Sequence, residues 1–291
     1  MEVKTTFKES VAEIKNYKSI VLAIEEFSIG QDHTYSDSEL KEIIKKAQSL
    51  NVKVSVLVNK MIFDDEVDAL IKKLELLKKL EVDSIFFSDM AVYMLAKDLK
   101  IEHLLIYAPG MTIVNSLDVK EYLKLNIQAV ELANELTLSE KITIAKANPN
   151  KVGLVISGYL LMSFSKRQAL SNYFNQINKS VNVENNYNLS LIEATRENKM
   201  PIYEDFSGTF IYSEYILDSF KYIEQLLEAD FKYFRIDGIF LDPKMIKDLL
   251  KAYKQTIKDR KGIEASEEIK NKYSYFIFDD TFYRIKTSEV K

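Results

Sequence analysis

Short runs of β-branched and aromatic residues alternate along the chain with segments in which apolar residues recur every three or four positions. The runs are typical of buried strands, and the wider spacing is typical of helices with one buried face. The predicted strands are Val3–Phe7, Ser19–Ile24, Val52–Val58, Ser84–Phe87, Leu104–Tyr107, Ala129–Leu132, Val152–Ile156 and Tyr233–Ile236. Eight strands that alternate with helices predict an α/β fold, a TIM-barrel-like (β/α)8 domain.

Several of the intervening helices carry start signals. Ser36 and Glu39 form a capping-box pattern before an apolar helical face, and Thr137 and Glu140 repeat the pattern. Pro243 follows Asp242 at the first position of another predicted helix. These residue pairs therefore predict where the helices begin.

The alternation stops between the seventh and eighth strands. Residues 158–212 form an Asn-rich, aromatic segment that we interpret as an insertion, and residues 203–212 carry the Ser-Gly turn signal of a hairpin. We expect one barrel domain over residues 1–258 and a C-terminal extension, residues 259–291, that packs on the barrel. Long insertions at this face of a barrel usually carry function or contacts.

Composition narrows the functional classes. The 291-residue chain is 47% hydrophobic, with a net charge of −4. It therefore lacks the global positive charge of a nucleic-acid-binding domain, and any RNA contact has to come from a local patch or a partner. The absence of cysteine excludes disulfides and thiol chemistry. No apolar run approaches ~20 residues, so we expect a soluble, cytoplasmic protein with no membrane contact.

Polar residues follow most of the predicted strands, at the end where barrel active sites lie. They are Glu25, Asn59, Asp89, Asn115, Asn134, Glu135, Ser157 and Asp237. Each of them could instead cap a helix or close a turn. The carboxylates could form an acid–base pair, but the sequence does not show which of them meet. His33 and His103 lack metal-ligand spacing, and we interpret both as surface or structural residues.

Positive charge and aromatic rings occur together after the seventh strand. Lys166 and Arg167 are followed by Tyr173 and Phe174. Such a mixture can hold a phosphate backbone and stack bases. The alternative is that this segment is a solvated loop whose aromatic rings pack in the core.

The segment Ser157–Phe174, which reads SGYLLMSFSKRQALSNYF, resembles the signature of the collagenase-like peptidase family U32. That signature usually reads His-Gly-x-x-Cys-x-x-Tyr-Ser-Gly-Arg-Cys, and its cysteines help to hold an iron–sulfur cluster. Ser157 takes the His position, and Leu161 and Gln168 take the Cys positions. A cluster of this kind needs about four thiolates. The resemblance therefore implies no cofactor in this chain and an iron–sulfur cluster in a partner chain.

Other segments extend the resemblance. NELTLSE is similar to the family's Arg-Glu-Leu-Ser-Leu, with Asn134 in place of the Arg. RIDGI is similar to Lys-Ile-Glu-Gly-Arg, with Ile239 in place of the final Arg. Asn59 and Asp89, at the ends of two further strands, match the family's Val-Asn and Ser-Asp. The resemblance thus implies four candidate catalytic residues: Glu135, Asp237, Asp89 and Asn59.

The segments SKRQALSNYF, ENNYNL and NKMPIYEDFSGTFIYS resemble a shorter branch of the family that is linked to 5-hydroxylation of the tRNA wobble uridine. In that branch a longer, cysteine-bearing U32 paralogue is the partner, tRNA is reached through the complex, and prephenate is the implied oxygen source. We expect a cluster-free subunit of such a complex, with Lys166, Arg167 and Tyr173 contacting RNA or the partner. The alternatives are a U32-type peptidase and a non-catalytic scaffold paralogue.

Overall fold

The computed structural model describes residues 1–194, 197–286 and 289. Its strands are β1 (Glu2–Thr6), β2 (Ser19–Ala23), β3 (Lys53–Val58), β4 (Ser84–Phe87), β5 (Leu105–Tyr107), β6 (Ala129–Glu131), β7 (Val152–Ser165), β8 (Ser190–Leu191), β9 (Met200–Asp205), β10 (Gly208–Asp218), β11 (Tyr233–Ile236) and β12 (Phe278–Asp279). Within the described residues, β1 to β7 and β11 pair in parallel and close a barrel, because β11 pairs with both β7 and β1. The predicted fold class is confirmed.

Helices surround the barrel on the outside. They are α1 (Asp37–Ser49), α2 (Val67–Lys79), α3 (Met90–Asp98), α4 (Ser116–Leu123), α5 (Leu138–Ala147), α6 (Ala169–Gln176), α7 (Ile223–Glu228), α8 (Pro243–Asp259), α9 (Gly262–Lys272) and α10 (Thr281–Arg284). The predicted capping boxes start α1 and α5, and Asp242 caps α8 by accepting a hydrogen bond from the Met245 N–H. No helix in these described ranges has the length and apolar character needed to cross a membrane.

The barrel interior is apolar in its middle and polar at its amino end. Its middle is filled by Val21, Ala23, Leu57, Phe86, Ile106, Ala129 and Tyr233. At the amino end, Lys4 Nζ donates to Ser55 Oγ at 2.9 Å and pairs with Glu2 at 3.1 Å. The amino end is therefore packed and hydrogen-bonded, and the open end is the carboxyl end of the strands.

The seventh barrel strand is longer than the sequence predicts. The predicted strand ends at Ile156, but β7 continues to Ser165 and pairs antiparallel with β10 beyond the barrel. It can continue because β10 supplies hydrogen-bond partners where the barrel sheet no longer does. The hairpin predicted over residues 203–212 is confirmed, since β9 and β10 pair around a tight turn at Phe206 and Ser207. Helix α6 also lies in this segment, where the residue pattern predicts no clear barrel helix.

The chain after α8 contacts the barrel's outer layer. β12 pairs in parallel with β10, and Phe282 and Tyr283 are buried. The Tyr283 hydroxyl hydrogen-bonds the Ser219 hydroxyl at 2.7 Å. The division into residues 1–258 and 259–291 stays a prediction.

Candidate functional site

A cavity of about 410 Å³ opens at the carboxyl ends of the barrel strands. Glu131, Arg235 and Asp237 form its charged base. Its walls include Phe86, Tyr107, Tyr159, Phe164, Phe210 and Tyr212. Four of these six aromatic residues come from β7 and β10, so the two strands that extend beyond the barrel form one wall. An apolar cavity with a few converging polar groups, at this end of a barrel, is the usual geometry of a binding or active site.

Arg235 is the centre of the charged base. Its Nε and Nη2 donate to the two carboxylate oxygens of Glu131 at 2.9 and 2.8 Å, which is a bidentate pair. Its Nη1 donates to Asp237 Oδ2 at 2.8 Å. Two carboxylates therefore share one guanidinium, and the group of three carries a net negative charge.

Burial and the neighbouring charges together shift the pKa values of Arg235 and Tyr233. Desolvation opposes the charge of Arg235, but Glu131 and Asp237 outweigh it and hold the pKa of the guanidinium above its usual value. Burial, reinforced by Glu131, raises the pKa of the Tyr233 phenol well above its usual range. The phenol is thus a hydrogen-bond donor at neutral pH, and it donates to Glu131 Oε2 at 3.1 Å.

A glycine makes room for that phenol. A Cβ at Gly153 would lie 2.0 Å from the Tyr233 ring. A second glycine, Gly158, has φ +128°, and a Cβ there would lie 2.4 Å from the Asp237 carbonyl oxygen. Both glycines therefore let β7 approach the residues that build the charged base.

Arg235 and Asp237 present a donor and an acceptor side by side. Three of the five N–H groups of a guanidinium are used in the bonds above, which leaves one each on Nη1 and Nη2. Asp237 Oδ2 accepts from Arg235, and Oδ1 accepts from the Ile239 N–H at 3.2 Å, so the carboxylate retains acceptor capacity. Asn134 also lines the cavity, and its buried Oδ1 has no hydrogen-bond partner among the described residues.

Asn59 and Asp89, two of the predicted catalytic residues, line the cavity but bind backbone. Asn59 accepts from the Ile29 N–H at 3.0 Å and donates to the Ile29 carbonyl at 3.1 Å. Asp89 caps α3 by accepting from the Ala91 N–H, and its other oxygen accepts from the Ile62 N–H at 3.0 Å. Their geometry is that of residues that hold the loops around the cavity.

Glu135, the third of these candidates, lies in the turn after β6 and is not part of the cavity wall. Beneath the turn, Lys141 is fully buried, and its Nζ donates to the carbonyls of Asn134 and Leu136. Burial lowers the pKa of Lys141 to about 7, and Glu140 and Glu135 partly oppose this. Lys141 thus positions the turn that carries Asn134 into the cavity. Asp237 is the one member of the predicted four that belongs to the charged base.

The residues at the cluster-ligand positions do not fit an iron–sulfur cluster. Ser157 donates through its hydroxyl to the Leu217 carbonyl, and Gln168 donates through its amide to the Asp205 carbonyl. Leu161 lies in the cavity wall. Its alkyl group, a hydroxyl and an amide cannot replace thiolates. In the described part of the chain, no three His, Asp or Glu side chains lie close enough to hold a metal ion.

Two further strand-end residues, Glu25 and Asn115, and both histidines lie outside the lining of the cavity. Glu25 is exposed in the turn after β2, and Asn115 caps α4. His33 packs edge-on against Tyr35 with ring centroids 4.6 Å apart, and burial lowers its pKa. His103 lies in a short 3₁₀ helix, Glu102–Leu104.

Lys166 and Arg167 immediately follow β7, and Tyr173 lies on α6. Lys166 Nζ lies 3.5 Å from the centroid of the Phe63 ring, so its ammonium packs on an aromatic face. Arg167 and Tyr173 are exposed. Glu204 holds α6 in place by accepting from the Leu170 and Ser171 N–H groups at 2.8 and 3.2 Å.

Sequence reasoning did not select Glu131 or Arg235, although they are the centre of the site. Glu131 lay inside a predicted strand and Arg235 inside another, so a search just past the strand ends left them out. The available signal was a charged residue in an apolar barrel strand, since buried charges are rare unless they are paired.

Comparison with known proteins gives a match to the model of Peptidase family U32 over residues 6–284. The chain is 27% identical over 241 residues to tRNA hydroxylation protein P2 of Bacillus subtilis, covering 80% of this chain and 78% of that protein. It is 22% identical over 277 residues to a collagenase of Porphyromonas gingivalis, covering 86% of this chain and 65% of that protein.

A third relative matches over a shorter stretch. The chain is 31% identical over 134 residues to tRNA hydroxylation protein P of Helicobacter pylori, covering 45% of this chain and 31% of that protein. The chain thus spans less than two thirds of the length of that relative and of the collagenase. The solved structure of the U32 peptidase Mk0906 superposes with a TM-score of 0.50 at 13% identity, covering 81% of this chain and 93% of that one. That superposition supports the barrel fold.

Proposed function

Because the chain belongs to peptidase family U32, we propose that it is the cluster-free subunit of a complex that 5-hydroxylates the wobble uridine of tRNA. The similarity to tRNA hydroxylation protein P2 over 80% of the chain supports this reaction. The chain has no cysteine, so the iron–sulfur cluster belongs to the partner, a cysteine-bearing U32 paralogue. In this proposal prephenate supplies the oxygen, and the complex works in the cytoplasm.

The observation that carries the proposal is the donor–acceptor edge of Arg235 and Asp237 at the base of an aromatic cavity. A uracil ring has a carbonyl oxygen beside a ring N–H, which matches an arginine donor beside a carboxylate acceptor. Bases held out of a stack are recognised through such edges and through stacking on aromatic side chains. The cavity volume of about 410 Å³ leaves room for one nucleoside-sized group.

In this role the chain binds and orients the base. Arg235 donates to the base carbonyl, and Asp237 accepts from the base N–H. Glu131 holds the guanidinium in place through the bonds at 2.8 and 2.9 Å, and Tyr233 holds Glu131 by donating to it at 3.1 Å. The aromatic walls exclude water. Lys166, Arg167 and Tyr173 then contact the RNA or the partner outside the cavity.

The alternative activity is hydrolysis of peptides, which the similarity to the collagenase favours. A peptide group also pairs a carbonyl with an N–H. Against it, Glu131 and Asp237 are both bound to Arg235, which does not leave a separate acid and base for attack by water. A non-catalytic scaffold is the third reading, in which the cavity residues are dispensable while the partner stays active.

Deletion of the gene tests the proposal. We expect 5-hydroxylation of the wobble uridine to disappear, as measured by mass spectrometry of purified tRNA, and to return when the gene is supplied in trans. The native complex, isolated through this chain, should contain iron and tRNA. Unchanged tRNA in the deletion strain would refute the proposal. Proteolysis of gelatin or casein by the purified chain, lost on neutralising Asp237, would support the peptidase instead.

A further inference from the structure

Exposed apolar side chains border the opening of the cavity. Met61, Phe63, Met90, Met111 and Phe206 are 48, 53, 43, 53 and 64% exposed. We call these five residues the mouth patch. Large apolar side chains that cluster on an exposed surface often mark an interaction site, whereas single exposed ones are common on any protein.

The mouth patch is assembled from separate loops of the same barrel end. Met61 and Met111 also line the cavity, so they lie at its edge. The Ile62 N–H bonds Asp89, which brings the loop of Met61 and Phe63 beside Met90. On the other side, Lys60 Nζ lies 5.3 Å from the centroid of the Phe206 ring. These contacts connect three segments around one opening, and Met111 adds a fourth at the edge of the same cavity.

The composition of the mouth patch is typical of a protein interface. Methionine and phenylalanine are enriched in such interfaces, and the flexible methionine side chain adapts to an apposed surface. Lys166 packs on one face of the Phe63 ring, which is still 53% exposed. The barrel itself needs none of these five side chains for its core.

Charge decides which kind of partner fits. Asp64, Asp65 and Asp68 are exposed beside Phe63 and outnumber Lys166, which packs on that ring, so this edge carries a net negative charge. They oppose the approach of a phosphate backbone, which disfavours RNA at this edge. A second copy of the chain would bring a like-charged edge to the interface. A protein surface with an apolar centre and basic residues at its edge complements both the apolar mouth patch and the acidic residues beside it.

We propose that the mouth patch is the docking surface for a protein partner with an apolar centre and a basic edge. Resting on the proposed function, we identify that partner as the cysteine-bearing U32 chain. Seated there, the partner lies beside the opening of the cavity, through which the tRNA base enters. The reacting group that it contributes then meets the base held by Arg235 and Asp237.

The test measures binding between the two purified full-length chains from the same organism by isothermal titration calorimetry. We expect the double variant F63D/F206D to bind at least about 100-fold more weakly, because it places charges in the apolar centre. The control I263D changes a side chain that is 64% exposed at the start of α9, and should bind within about twofold of wild type. D64K/D65K should weaken binding about tenfold by opposing the basic edge. Circular dichroism melts verify that each variant is folded.

Three outcomes would overturn the proposal. They are equal binding by wild type and F63D/F206D, no binding by wild type, and an effect of F63D/F206D confined to self-association or tRNA binding. The deletion strain separates this proposal from the proposed function. If deletion abolishes wobble-uridine hydroxylation while the mouth patch variants bind normally, the function stands and the docking surface is wrong. If tRNA is unchanged while F63D/F206D loses binding, the docking surface stands and the function is wrong.

Discussion

Arg235 donates two hydrogen bonds to the carboxylate of Glu131, at 2.9 and 2.8 Å, across 104 positions of sequence. The pair joins β6 to β11 across the barrel end, and the Glu131 side chain is only 4% exposed. A buried charge that loses its partner is strongly destabilising, because its desolvation is no longer offset. Loss of either partner should therefore destabilise the barrel and change the shape of its cavity.

Removing the guanidinium should unfold the protein at lower denaturant concentration. We expect Arg235→Met to reduce the free energy of unfolding by about 3–5 kcal/mol, since Glu131 is left as an uncompensated carboxylate. Arg167→Met, at an exposed position, should change it by less than about 0.5 kcal/mol. Adding Glu131→Gln to Arg235→Met should recover part of the loss in urea denaturation. A double variant no more stable than Arg235→Met would contradict this account of the pair.

Asp89 should behave as a helix cap and not as a catalytic carboxylate. Asparagine is as good an N-cap as aspartate, but its amide nitrogen cannot accept from the Ile62 N–H, so Asp89→Asn should cost about 1 kcal/mol and leave tRNA hydroxylation intact. Asp89→Ala should cost about 1–2 kcal/mol, because the N–H groups of Ala91 and Ile62 lose their acceptor. Thermal denaturation measures the first effect and tRNA mass spectrometry the second. Complete loss of hydroxylation in a folded Asp89→Asn protein would assign the carboxylate a chemical role.

Lys141 should make stability depend on pH. Its pKa is about 7 in the folded protein and about 10.4 in the unfolded chain. Between these values the unfolded state binds one more proton, so the free energy of unfolding rises by about 1.4 kcal/mol per pH unit from this group, and the contribution disappears below pH 7. Lys141→Met should remove this increase, whereas Lys146→Met, exposed on the same helix, should keep it. Urea denaturation at pH 7, 8 and 9 compares them, and identical slopes in all three proteins would be the contrary result.

Gly153 should be intolerant of a side chain. A Cβ would lie 2.0 Å from the Tyr233 ring, so Gly153→Ala must displace the ring and its bond to Glu131. We expect a loss of about 1–3 kcal/mol, as for other overpacked cores. Tyr233→Leu in the same chain shortens the opposing side chain and should restore part of the stability. If Gly153→Ala had the same melting temperature as the wild type, the Tyr233 ring would have more room than the structure gives it.

The sequence predicts the parts of this molecule that depend on local pattern. The capping residues Ser36 and Asp242 start their helices as predicted, because a cap is decided within four residues. The end of β7 could not be predicted in this way. Whether the chain continues as a strand past Ile156 depends on β10, which lies about 50 residues later and supplies its hydrogen bonds.

The candidate site likewise contains residues that a local pattern indicates and residues that depend on the three-dimensional fold. Asp237 was selected from its position at a strand end, and it does lie in the charged base. Asn59 and Asp89 matched the same rule, yet their partners are the backbone groups of Ile29 and Ile62, which no local pattern indicates. The pairing of Glu131 with Arg235 depends on closure of the barrel, so it follows only from the three-dimensional structure.

Asp237→Asn is the sharpest test of uridine binding in this cavity, because it removes the acceptor charge beside Arg235 while keeping the size of the side chain. The variant gene, expressed in the deletion strain, is compared with wild type and with Asp89→Asn by mass spectrometry of the tRNA wobble position. We expect 5-hydroxyuridine to fall below about one tenth of the wild-type level in Asp237→Asn, as for loss of a charged contact to a bound base. Asp89→Asn should stay within about twofold. Wild-type hydroxylation in a folded Asp237→Asn protein would contradict the claim that this cavity holds the uridine.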